Sequence, residues 1–254
     1  MTFLDVAGVF GAGIVAGTVN TIVGSGSLLT FPVLLGVGLS PLAANVTNTV
    51  GLVPGSVSGA IGYRQELGGQ RRRVWRLVVS SLLGALVGAV LLLALPSHSF
   101  ERVVPFLVLL ASLLVLVQPQ LARAVSRRNA LRGHHPERLD PLMDVGNFLT
   151  AVYGGYFGAA QGVILIALLG VFIDDHLQRL NAVKNVLAAV VNGVAAVIFA
   201  VVAPVHWWFA LAEALGAVIG GQLGATVGRR IPPRLLRGII VVVGVVVAAK
   251  LLSG

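Results

Sequence analysis

The stretch from Gly17 to Tyr63 constrains the fold of this chain more than any other. Two apolar segments flank a small polar crossing at Asn20–Ser27, Asn and Thr residues open the segment that follows, and the same plan returns from Tyr153 to Phe199. At a constant offset of 136 positions Gly26 falls on Gly162, Asn45 on Asn181, Ala60 on Ala196, Gly84 on Gly220, Gly88 on Gly224 and Ala89 on Ala225. A duplicated chain of this kind is expected to fold as two copies of one unit. Composition identifies the solvent that unit meets. Hydrophobic residues make up 57% and charged residues 11%, an apolar load that a water-soluble interior of this size cannot hide. The runs are helix-length and rich in small residues, which points to a helical bundle in a bilayer and away from a barrel with alternating strands of about ten residues. No cysteine is present, so disulfide and thiol chemistry are excluded.

The predicted fold class is therefore an all-α integral membrane protein of two repeats, each a short-helix hairpin followed by three transmembrane helices. In the first, segment a runs from about Phe3 to Val23, b from Ser27 to Val37, c from Leu42 to Gly62, d from Val74 to Leu95 and e from Val103 to Val117. In the second, a′ covers about Leu142–Ala159, b′ Val163–Phe172, c′ Ala182–Ala203, d′ Trp207–Val227 and e′ Leu235–Leu252. Domain bounds follow as 1–118, a basic cytoplasmic linker 119–138, and 139–254. Segment b is too short to cross about 30 Å of hydrocarbon and is expected to be half a crossing. Pro54 predicts a kink or a local break in segment c. The N-terminal residues have no basic region ahead of an apolar core, so they are taken as part of the first membrane segment.

The net charge of +9 is concentrated rather than spread. Nearly all Lys and Arg lie in four regions: Arg64 to Arg76, Arg123 to Arg138, Arg179 with Lys184, and Arg229 to Arg237. The connections Gly36–Pro41, Pro96–Arg102 and Pro204–Trp208 hold one basic residue between them. The positive-inside bias places the first set in the cytoplasm and the second outside, with both termini outside and the two repeats inverted. Such placement reads as topology and inner-membrane location, with anionic lipid as a non-specific neighbour, and not as a nucleic-acid surface.

Soluble-enzyme motifs are absent: there is no HExxH, Walker sequence or nucleophile elbow, and GSGS at Gly24–Ser27 lacks a strand-turn-helix context. No enzyme activity, cofactor or metal is implied. The five histidines, His98, His134, His135, His176 and His206, are scattered. Candidate chemistry sits at the two breaks. A helix starting at Gly24–Ser27 turns backbone N–H groups and a positive dipole end toward the membrane interior, with Ser25 and Ser27 as added donors around Gly26; its mate is Ala160-Gln161-Gly162. Two such ends meeting would suit an oxyanion, with Asn20 and Tyr156 lining the same cavity beside Tyr153. Segments c and c′ open with Asn45, Asn48 and Thr49, and with Asn181, Lys184 and Asn185, which either hydrogen-bond between helices or touch substrate. Lys184 replaces Asn48 of the first repeat; it either supplies a fixed positive charge inside the bundle or snorkels to the cytoplasmic boundary, and the second is favoured. Glu213 is the acidic residue well inside a predicted crossing and is a possible coupling group, although Trp207 close by could bring it to the outer boundary. Tyr63, Trp75, Trp207 and Trp208 are expected as interface anchors. Glycines at 216, 220, 224 and 228, with Gly84 and Gly88, predict close packing of d on d′ across the pseudo-symmetry or at a homodimer seam. Gln222 among them needs a partner.

Several of these residues carry a resemblance. The turn Gly24-Ser25-Gly26-Ser27 with the apolar run after it, Pro32, L-S-P-L-A-A-N at Leu39–Asn45, the glycine-to-arginine stretch Gly68–Arg73 and G-A-L-V-G-A at Gly84–Ala89 resemble the sulfite exporter TauE/SafE family of bacterial membrane permeases. The second turn, Gly158 to Gly162, departs further from the glycine-rich pattern. The resemblance implies ATP-independent transport of small sulfur-containing or organic anions. A membrane potential negative inside favours exit of an anion, so export is expected. Proton-coupled uptake is the alternative, followed by an anion channel.

Overall fold

The computed structural model describes residues 2–132, 140–226 and 233–253, and among them ten helices and no strand. They are α1 (Phe3–Ile22), α2 (Ser27–Gly36), α3 (Pro41–Gly62), α4 (Arg71–Ala94), α5 (Ser97–Arg132), α6 (Pro141–Tyr156), α7 (Gln161–Phe172), α8 (Leu177–Val202), α9 (Trp207–Thr226) and α10 (Pro233–Ser253). Gly228, Arg138, Arg229, Arg230, His134 and His135 lie outside the described residues, as do the side chains of Arg127, Arg128, Arg132 and Arg234. Local chemistry sets the starts. Thr2 and Asp5 form a reciprocal capping box on α1, while Ser40 and Asp140 cap α3 and α6 ahead of a proline at the first helical position.

Five helices, α1, α4, the Ser97–Gln120 part of α5, α8 and α9, are long and apolar enough to cross a membrane; α2 and α7 are shorter apolar helices. Outward faces match that solvent: Leu82, Leu83 and Leu86 of α4 and Leu211 and Leu215 of α9 are exposed. Helix α5 continues past the expected end of segment e, through Pro119 to Arg132, so part of the expected linker is helical. Helix α3 runs through Pro54, whose missing N–H leaves a carbonyl of the preceding turn without its helical partner.

Packing runs between the two halves of the chain. Helix α1 lies on α9 and α6 on α4; α3 lies on α9 and α4 on α8; α3 meets α8 and α5 meets α10. Glycines make these contacts possible. A methyl group at Gly216, Gly220 or Gly224 would stand 2.2, 2.1 or 2.8 Å from the carbonyl oxygens of Phe10, Ile14 and Thr18 of α1. At Gly84 and Gly88 it would stand 2.4 and 2.1 Å from those of Phe148 and Val152 of α6. The expected face-to-face packing of d on d′ is therefore wrong in its partner. Each small-residue face is filled by the first helix of the opposite half, where backbone meets backbone.

The glycine pairings also give direction, because contacts advance in the same sense along both helices: α1 is parallel to α9, and α6 to α4. At one end of the bundle Arg73 pairs with Asp175 at 3.1 Å, Arg179 with Asp175 at 2.9 Å, and Arg76 with Asp144, while Gln70 donates to the Arg179 carbonyl. At the other end the His206 amide donates to Thr47 Oγ1. Helix α6 starts at the first end and α1 at the second. Trp75, Trp207 and Trp208 are exposed as expected of anchors, but Tyr63 is 2% exposed and packs with Ala182 and Ala225. Gln222 finds its partner in Ser58, donating to its carbonyl and hydroxyl oxygens.

Two tests follow from this packing. Gly220→Ala forces backbone against backbone and should cost about 1–3 kcal/mol, whereas Gly193→Ala, with open space around it, should be neutral or slightly stabilising; melting temperatures of the purified variants separate them. Burial works against ionisation of Asp175, but hydrogen bonds from Arg179, Arg73 and the His176 amide outweigh it and hold the carboxyl below its ordinary 3.8. A lowered carboxyl contributes stability that is full above the ordinary value and is lost as pH falls through the lower folded one. Asp175→Asn should therefore flatten the acid-side fall in melting temperature below about pH 5.

Candidate functional site

The two helix breaks meet inside the bundle. Helix α1 ends at Ile22 and α2 restarts at Ser27, and between them Gly24 adopts φ +86°. Helix α6 ends at Tyr156 and α7 restarts at Gln161, and Ala160, one repeat offset from Gly24, adopts φ +58°, the left-handed conformation otherwise seen only at glycine among the described residues. The turns touch directly. Gly162 N–H donates to the Gly24 carbonyl at 3.0 Å, and a methyl on either glycine would lie 2.4 Å from the Cα of the other. Aromatic rings pack around the junction: Phe31 of α2 meets Phe157 edge-on at 5.6 Å, and Phe100 lies 5.7 Å from the ring of Tyr156.

The opening turns of α3 and α8 close the broken ends of the opposite half. Asn45 Nδ2 donates to the Tyr156 carbonyl at 3.0 Å, the last residue of α6. On the other side Asn181 Nδ2 and Asn185 Nδ2 donate to the Thr21 carbonyl at 3.1 and 3.4 Å. Lys184 Nζ donates to the carbonyls of Asn20 and Thr21 at 2.9 and 3.0 Å. Lys184 is fully buried, which overturns the expected snorkelling position. Its Nζ is held at the negative end of the α1 dipole by carbonyls that the break leaves free, and its Cδ lies 3.1 Å from a methyl placed on Gly162. Among the described residues no carboxylate lies within ion-pair distance of it.

Other expected residues divide between filled and unfilled hydrogen-bond capacity. Asn48 accepts from the Thr30 hydroxyl, Thr49 turns back to the Asn45 carbonyl of its own helix at 2.9 Å, and Asn20 Nδ2 donates to Ser56 Oγ at 3.3 Å. Ser56 also accepts from Asn192, its mate at the 136-residue offset. Tyr153 donates to the Ala159 carbonyl rather than facing a cavity. Gly26 caps α2 with its Cα face against Ala16, and Ser27 is half-buried behind it. Against this filled background Ser25 Oγ and Gln161 Nε2 are buried without a hydrogen-bond partner, as are Asn181 Oδ1 and both Glu213 oxygens. Glu213 is fully buried among protein atoms. The amides expected to point from α7 at a ligand are already engaged, Gln161 N–H with Gly158 and Gly162 N–H with Gly24. Thr30 and Thr21 escaped sequence reasoning. The signal for the first was its place one turn into a short helix beside the Asn-rich start of α3; the second acts only through its carbonyl, which no side-chain pattern reveals.

The sequence that folds in this way has relatives. Residues 9–251 match the sulfite exporter TauE/SafE family. The chain belongs to that family. Among its similar proteins, the "Probable membrane transporter protein" of Haemophilus influenzae is 25% identical over 95% of this chain and 92% of its own length. The "Probable membrane transporter protein YfcA" of Escherichia coli K12 is 26% identical over 96% of this chain and 88% of its own, and "Probable membrane transporter protein ORF9" of Sinorhizobium is 25% identical over all of it and 94% of its own. No solved structure matches. In this TauE/SafE chain the contrast between mates gives a direct test of the break. Gly24→Ala adds both a left-handed strain and a clash with Gly162, and should lower stability by about 2 kcal/mol or more. Ala160→Gly removes the left-handed cost and should leave stability unchanged or raise it by up to about 1 kcal/mol; thermal unfolding in detergent reads both.

Proposed function

We propose that this chain is a secondary transporter of small anions, sulfur-containing or organic, with its binding site where the α1–α2 and α6–α7 turns meet. The observation that carries this reading is the buried Lys184 ammonium beside the Gly24–Gly162 contact, a positive charge with carbonyl partners and no carboxylate. An anion arriving there completes the charge that the protein leaves uncompensated. Ser25 Oγ and Gln161 Nε2, buried and unpaired, are the donors that would orient its oxygens. The N-terminus of α2 adds the positive end of a helix dipole.

Alternating access follows from two repeats of inverted topology. Helices α1 and α6 starting at opposite ends of the bundle, and the exchange of partners between halves, support that organisation, as does a site at the repeat interface built from broken helices. The family's name, sulfite exporter, and the relatives' description as transporters agree with transport rather than catalysis. The expected setting is a bacterial inner membrane with both termini outside. A potential of about 100 mV, negative inside, favours exit of one negative charge by about 2.3 kcal/mol, so export is the direction an uncoupled carrier takes. Glu213 favours a second reading, proton-coupled movement, because a fully buried acid without a partner is the kind of group that carries a proton.

Replacing Ser25 and Gln161 together by Leu should weaken binding of thiosulfate by about tenfold, the effect of losing one or two hydrogen bonds, with the protein still monodisperse on gel filtration. Calorimetry and flux in proteoliposomes measure it; unaltered binding in the folded double variant removes the turns from the site.

A further inference from the structure

Glu213 lies on α9 in a space made by glycines of two other helices. A methyl at Gly51 of α3 would stand 2.7 Å from its Oε2, and one at Gly13 of α1 would stand 2.6 Å from its carbonyl oxygen. The side chain is fully buried and neither carboxyl oxygen has a hydrogen-bond partner. The Thr30 hydroxyl lies beside it but gives its proton to Asn48. Among the described residues the helices shown against it bring no counter-charge. Helices α2 and α3 contain no charged residue, and α9 contains no other. Helix α1 contains only Asp5, half-buried at its start and bonded to Thr2. Lys184 reaches α1 at Asn20, about 10 Å of helical rise beyond Gly13, and its protons go to the carbonyls there.

An ionised carboxylate in this space would have no cation within ion-pair distance among the described residues, which is strongly unfavourable. The neutral acid needs none, and its O–H can be given to Thr30 Oγ1. We propose that Glu213 is a proton-binding site, neutral where α9 is packed on α1 and α3 and reached by water when that packing loosens, so that a proton travels with the anion. This rests on the transporter reading and deepens it. The chemistry is one O–H bond, formed from hydronium on one side of the membrane and released to water on the other. There is one such site per chain, because the 136-residue offset that pairs Ser56 with Asn192 puts Leu77, buried among leucines, at the matching place in the first half. A proton moving with a singly charged anion cancels the membrane-potential term, and direction is then set by the two concentration gradients.

Two measurements test this separately from transport itself. Infrared difference spectra of the purified protein at neutral pH, wild type minus Glu213→Gln, should show the carbonyl band of a protonated carboxyl, and Glu213→Asp should restore it to the variant. Absence of the band in wild type overturns the proposal whether or not anything is transported. In proteoliposomes with a trapped pH dye, thiosulfate carries no proton of its own near neutral pH. Its entry should acidify the lumen with wild type, and Glu213→Gln should abolish that acidification while thiosulfate–thiosulfate exchange persists. Acidification by Glu213→Gln equal to that of wild type overturns the proposal. A wild-type protein that moves no thiosulfate speaks against the transport reading for that anion, and the carboxyl band then decides the proton site.

Discussion

A helix that stops inside a bilayer leaves carbonyls that no water can reach, and they must be satisfied from within the protein. Here the end of α1 is answered by Lys184, Asn181 and Asn185, and the end of α6 by Asn45. Both sets come from the first turns of the third helix in the opposite half. The need for such donors explains why α3 and α8 open with amides and a lysine in an otherwise apolar chain. It also explains why the halves interlock: neither hairpin is complete without the other half's third helix. Ser25 Oγ, Gln161 Nε2 and Asn181 Oδ1 at the breaks remain without such a partner.

Close approach of backbones does the rest. Along α1–α9 and α6–α4 the glycine faces let carbonyl ridges sit where side chains would otherwise stand. In lipid, where burial of apolar surface does not drive helices together, contact of this kind and interhelical hydrogen bonds supply the attraction. The partner in each case is the helix that carries a break. The helices that carry the breaks thus pack on long apolar helices of the opposite half.

Much of this was legible in the sequence because the repeat and the apolar run lengths are strong signals. Most helix ends agree closely with the expected segments, α5 excepted; for example, d′ was read as Trp207–Val227 and α9 spans Trp207–Thr226. The meeting of the Gly24 and Gly162 turns was also expected, since two half-crossings must stop at similar depth. What failed were choices of partner. Small-residue periodicity says that a face packs closely but not against which helix, so d and d′ were mispaired. Lys184 was placed at the boundary because a lysine near a helix start ordinarily has water within reach. The neighbouring break of α1, which offers it carbonyls instead, belongs to the other half of the chain, beyond any local window. Tyr63 failed similarly: its place beside Arg64 suggests an interface, but Ala182 and Ala225 cover it.

The contact between Gly24 and Gly162 has no side chain on either side to act as a cushion. Main chain rests on main chain, tied by one hydrogen bond. Slack that a flexible methionine or leucine would absorb is missing, so displacement of one hairpin tip is felt at once by the other. The two tips are coupled by this contact and its single hydrogen bond.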